Sequence, residues 1–153
     1  MKKIIYLPLA ILLLSLNAMA YDTQKAKELE TFYAGMTQKA CADSKLFVEA
    51  VDAMKMIREN NITLLDVRTH AEASVIAISE KNAIHIPIKD LFKKENLDKL
   101  PNTKPIVVVC HSGTRGTLAA IGLKRLGFKK IHVLKGGFVA LAIENTPKTA
   151  PKQ

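Results

Sequence analysis

The run Ile106-Val107-Val108-Val109-Cys110, followed at once by His111-Ser112-Gly113-Thr114, constrains this chain more than any other feature. Four β-branched residues in a row, with no polar alternation, read as a strand buried on both faces. Residues 115–126 then read as a helix, with Lys124 and Arg125 in its last turn and Gly127 at its end. A doubly buried strand that passes through a short loop into a helix is the building unit of a parallel sheet.

The rest of the chain repeats this alternation. Residues 63–67, 83–87 and 131–134 are short, β-prone and bounded by polar or turn-forming residues. Between them lie helical segments at residues 70–79 and within 90–100. A further helix is expected from Asp43 or Ser44 to about Glu59, with Phe47, Val51, Met54 and Met56 or Ile57 along one side and Asn60-Asn61 as its stop. The expected fold is α/β, a three-layer sandwich with helices on both faces of a parallel sheet and its working site at the carboxyl ends of the strands.

The first twenty residues differ from the rest. Lys2 and Lys3 precede an apolar run over residues 4–16, and Ala18-Met19-Ala20 follows. This is the pattern of a secretory signal peptide cleaved after Ala20, too short for a spanning helix of roughly 20 residues. The expected organisation is a signal peptide at 1–20, a helical extension at 21–45, one domain at 46–143 and a flexible tail at 144–153. The protein would be exported, to the periplasm, with no stable membrane insertion after cleavage. Cleavage removes two lysines and no acid, leaving 21 basic and 14 acidic residues. The lysines are scattered without interleaved aromatics, so nucleic-acid binding is not expected.

The chemistry centres on Cys110-His111-Ser112-Gly113-Thr114-Arg115. A loop of small polar residues at a helix N-terminus can curl so that its N–H groups converge on an anion. A cysteine at the start of that ring, with Arg115 near, is favoured as thiolate, the nucleophilic form. A persulfide formed on it would sit where the N–H groups converge.

At these residues the chain resembles the rhodanese family, from about residue 47 to 142. Leu64-Leu65-Asp66-Val67-Arg68 is similar to the family's Asp-Val-Arg strand end, with Glu72 at the place of an acidic residue a few positions on. Ala83-Ile84-His85-Ile86-Pro87 resembles its Ala-Ile-Asn-Ile-Pro strand, and residues 110–115 its active-site loop. Leu126-Gly127-Phe128 and Val133-Leu134-Lys135-Gly136-Gly137-Phe138 resemble the closing segments. Gly116 stands where a serine is common. The resemblance implies a mostly parallel five-stranded sheet between helices and a catalytic cysteine that cycles through a persulfide.

Roles follow. Cys110 is the expected nucleophile. Arg115 is expected to fold over the loop, neutralising the bound anion and donating to loop carbonyls. Ser112 and Thr114 can donate to substrate oxygens, Gly113 supplies an unusual backbone conformation, and His111 can protonate or orient. Asp66 and Arg68 brace the rim, although Arg68 could also draw in an anionic substrate. His70, His85 and His132 lack metal-ligand spacing, so neither metal nor cofactor is expected. Cys41 could pair with Cys110 in an exported protein, but the loop around Cys110 argues for another use.

The function expected is sulfurtransfer from thiosulfate or a similar small anionic donor to cyanide or a thiol acceptor. A persulfide carrier docking on a redox partner protein is the second reading. A cysteine-dependent phosphatase is the third, disfavoured because four residues separate Cys110 and Arg115 where phosphatases of related fold use five.

Overall fold

The computed structural model describes residues 20–146. The signal-peptide pattern and most of the basic tail therefore lie outside the described residues. The described residues fall into two compact units, divided between Gly35 and Met36. In the first, helix α1 (Thr23–Ala34) starts at Asp22, whose carboxylate accepts the Lys25 N–H, and none of its residues is buried.

The second unit holds a five-stranded sheet in which every pairing is parallel. Its strands are β1 (Phe47–Val48), β2 (Thr63–Asp66), β3 (Ala83–His85), β4 (Ile106–Val109) and β5 (Ile131–Leu134), in the order β1-β5-β4-β2-β3. The helices of this unit are α2 (Gln38–Asp43), α3 (Ala50–Arg58), α4 (His70–Val75), α5 (Lys94–Leu97), α6 (Thr114–Arg125) and α7 (Gly137–Glu144).

The alternation of side chains along each strand sorts the core into two layers. Leu65, Val108, Cys110 and Val133 face Ala119, Ala120 and Leu123 of α6, together with Ile86, Leu91 and Leu100. Leu64, Val107, Val109 and Leu134 face Ala50, Ala53 and Met54 of α3 and Leu141 of α7. Burial on both faces explains why β4 reads as an unbroken apolar run.

Two elements depart from expectation. The helix predicted from residue 43 or 44 to 59 is divided. Lys45 takes a left-handed conformation at φ 43°, and the chain then becomes β1. The β5 edge captures it: the Val133 N–H donates to the Leu46 carbonyl at 2.7 Å and the Lys135 N–H to the Val48 carbonyl at 2.9 Å. Phe47 and Val51, expected on the apolar side, are exposed, and the true buried stripe of α3 is Ala50, Ala53 and Met54. The expected stop does occur, with Asn60 left-handed at φ 56°. The other departure is α7, which begins at Gly137, where the sequence reading set no helix.

Helix α7 fixes the end of β4. The Phe138 N–H donates to the Cys110 carbonyl at 2.7 Å, and the Val139 N–H to the His111 carbonyl at 3.3 Å. This approach requires glycine at 137. A Cβ there would stand 2.5 Å from the Cys110 carbonyl oxygen and 2.6 Å from that of His111, and the backbone φ is +62°. Gly137→Ala should therefore destabilise the fold by about 2–5 kcal/mol, combining left-handed strain with backbone overpacking. Urea unfolding would measure it; a midpoint equal to that of the wild type would contradict the close approach.

Candidate active site

Cys110 follows the central strand, and its sulfur lies on the α6 side of the sheet. The residue is 1% exposed. Its Sγ accepts two backbone N–H bonds, from Gly113 at 3.1 Å and from Gly116 at 3.3 Å. Gly113 is the N-cap of α6, at φ 112°. The sulfur therefore sits in the open ring of N–H groups at a helix start, where partial positive charge gathers.

Gly116 makes this possible from below. A Cβ at 116 would lie 3.2 Å from Val133 Cγ1 and 3.8 Å from Cys110 Sγ. With no side chain, the first turn of α6 settles against β5 and brings its N–H to the sulfur. His111, Ser112 and Thr114 are exposed around the same loop. Cys41 is a free, exposed cysteine on α2, and Cys110 is free as well, so no disulfide joins them.

Arg115 is placed differently from the sequence expectation. Its guanidinium grips Glu72 with both ends, Nη1 to Oε2 at 2.7 Å and Nη2 to Oε1 at 2.6 Å. It does not turn back to the loop carbonyls. Glu72 is held in turn by the start of α4. Its Oε2 accepts the Thr69 N–H and the Thr69 hydroxyl, both at 2.9 Å, while Thr69 Oγ1 accepts the Glu72 N–H at 3.2 Å. This is a capping box. The Arg115 guanidinium, helped by the Thr69 N–H, holds the Glu72 carboxyl far below its usual value, and Glu72 raises that of Arg115.

Asp66 and Arg68 form a second pair beneath the rim. Both are buried, and Asp66 accepts the Arg68 backbone N–H at 3.0 Å, its Nε at 3.0 Å and its Nη2 at 2.8 Å. Nη2 also donates to the Ile76 carbonyl, and the guanidinium lies 4.1 Å from the centre of the Phe138 ring. Arg68 thus ties β2, the α4 exit and α7 together, and at 3% exposure its charge faces protein and not solvent. His85 Nε2 meets the Arg68 carbonyl at 3.0 Å, and its ring stands edge-on to His70. Among the described residues, no cluster of three or more His, Cys, Asp or Glu side chains could hold a metal ion.

The structure brings Cys110, Gly113, Arg115 and Gly116 to one site, with His111, Ser112 and Thr114 on its outer wall. It adds Glu72, to which the sequence reading assigned no role. The signal was present: Thr69-His70-Ala71-Glu72 has capping-box spacing, which presets the acid to face the next strand end.

A cysteine sulfur held by backbone N–H groups at the end of a central parallel strand defines a class of anion-loop domain, and comparison with known proteins places it. Residues 49–144 match the rhodanese-like domain, and the chain belongs to that family. It is 29% identical over 91 residues to the thiosulfate sulfurtransferase GlpE of Coxiella burnetii, covering 60% of this chain and 81% of that one. It is 35% identical over 83 residues to YrkF of Bacillus subtilis, provisionally named a sulfur carrier protein; the match covers 54% of this chain and 43% of YrkF. Among solved structures, a rhodanese-related protein from Thermoplasma volcanium superposes with a TM-score of 0.56 at 32% identity, covering 65% of this chain and 93% of the other.

The carboxylate of Glu72 links stability to acid. Its folded-state pKa is depressed, so its contribution is full above the unfolded value of 4.5 and is lost as pH falls toward the folded one. Glu72→Gln keeps a side chain able to close the capping box but removes the charge. The stability gap between wild type and Glu72→Gln should be constant near neutrality and shrink as pH falls below about 4.5. Urea melts across acid pH would show this; a gap that persists unchanged in acid would mean that the pair does not form.

Proposed function

We propose that this chain is a sulfurtransferase. Cys110 takes the outer sulfur of thiosulfate or a similar sulfane donor as a persulfide and yields it to cyanide or a thiol acceptor. The observation that carries this reading is the pair of N–H bonds on Cys110 Sγ. The thiolate attacks the outer sulfur of thiosulfate, the S–S bond breaks, and sulfite leaves with the bonding electron pair. The persulfide anion that remains extends outward from a sulfur already held by the ring, toward His111, Ser112 and Thr114. The relatives named for thiosulfate sulfurtransfer support the reading at the level of the family.

A carrier reading draws on the same intermediate. YrkF is named as a sulfur carrier, and a domain that only receives and hands on sulfur needs the same cradle. The two readings part at the acceptor: a carrier would discharge to a redox partner protein and slowly to cyanide. We also propose export, supported by the pattern in residues 1–20.

Intact mass measurement after thiosulfate treatment tests these points together. Wild type should gain the mass of one sulfur atom, removable by cyanide, and Cys110→Ser should gain none, because a hydroxyl is not ionised at neutral pH. Cys41→Ser should load like wild type. Protein recovered from cells should begin at Tyr21. Sulfur retained by Cys110→Ser would sink the single-cysteine mechanism, and a chain that keeps Met1 would sink the export proposal.

A further inference from the structure

Three cations stand on the elements that form the mouth of the site, and each holds a carboxylate. Arg68 is buried against Asp66 at 2.8 Å. Lys135, just before the glycine pair that leads into α7, meets Glu49 at 2.5 Å. Arg115, in the first turn of α6, is gripped by Glu72 through both oxygens. Glu72 is no loose surface acid, since two bonds from Thr69 hold its carboxylate as well as Arg115 does. These three pairs therefore offer an incoming anion no net positive charge, and the attraction beside them is that of the backbone N–H groups.

We propose that Glu72 is the residue that sets donor charge at this site: by neutralising Arg115 it disfavours dianionic sulfur donors and favours thiol persulfides. The proposal rests on Cys110 being the sulfur acceptor. Attack of the Cys110 thiolate on thiosulfate gathers three negative charges at the mouth and releases sulfite as a dianion. Attack on a protonated thiol persulfide, R–S–SH, gathers one. The thiolate bonds to the outer sulfur, the S–S bond breaks, R–S⁻ leaves with its electron pair, and Cys110 carries –S–SH. Both steps balance without any further oxidant or reductant. They differ in the charge the rim must accept, and that charge is what Glu72 alters. Its fixed position on α4 makes it a positioning residue that acts through Arg115, and it need not touch the donor.

The test compares second-order rate constants for sulfur loading of Cys110, followed by intact mass on the full chain, with thiosulfate and with cysteine persulfide as donors. Glu72→Gln preserves the capping box and frees the Arg115 charge. The thiosulfate-to-persulfide ratio should then rise about tenfold at low salt, the effect of one elementary charge near a dianion at a solvated rim. The gain should fade at high salt. The double variant Glu72→Gln/Arg115→Gln again leaves these two positions without net charge, and its ratio should return close to that of the wild type. A ratio that is unchanged or lowered in Glu72→Gln, with Cys110 still loading, overturns the proposal. So does a double variant whose ratio falls well below the wild-type value, since Arg115 would then bind thiosulfate directly with Glu72 as a mere brace. Loading of wild type by neither donor would instead overturn the sulfur-transfer reading, and this proposal with it.

Discussion

The site depends on one contact: the sulfur of Cys110 held by the N–H groups of Gly113 and Gly116. Gly113 presents its N–H from a left-handed backbone at φ 112°. Gly116 lets α6 rest on Val133, and Gly137 lets α7 donate to the carbonyls of Cys110 and His111. The loop is thus gripped from two sides, by a helix that begins with it and by a helix that begins beside it. A ring set in this way needs no rearrangement when charge develops on sulfur, which is how backbone dipoles contribute most to catalysis.

Around that contact the two Arg–carboxylate pairs do different work. Asp66–Arg68 is buried and multiply hydrogen-bonded, joining β2, the end of α4 and Phe138. Burying such a pair adds little net stability, but breaking either partner leaves an isolated buried charge, so the arrangement is enforced. Glu72–Arg115 is about one-third exposed. At such a rim an ion pair contributes modestly to stability, and its weight falls on the field at the mouth.

Much of this was legible in the sequence because burial on both faces leaves a plain mark. An unbroken apolar run disclosed β4, a short β-prone segment between polar residues disclosed β2, and the run of small polar residues after Cys110 disclosed the loop. The parts that stayed hidden are those whose causes are not local. Phe47-Val48 is a strand only because β5 offers it an edge, and its own residues fit a helix equally well. Gly136-Gly137 discourages a helix by propensity, yet α7 starts there because only glycine tolerates the contact with Cys110. The partner of Arg115 was hidden for another reason. A bidentate grip on an acid 43 positions away cannot be read from spacing, although the capping box that fixes that acid could be.

The outermost strands, β1 and β3, are also the shortest, with two and three residues. A parallel sheet ends in rows of unpaired backbone groups, and long flat edges of that kind recruit strands from other molecules. Here each edge presents only two or three residues of such a template, and Pro87, just past β3, has no N–H to offer. The brevity that concealed β1 thus also blunts the sheet against edge-to-edge aggregation, leaving the molecule's strongly β-prone sequence sealed in its three middle strands.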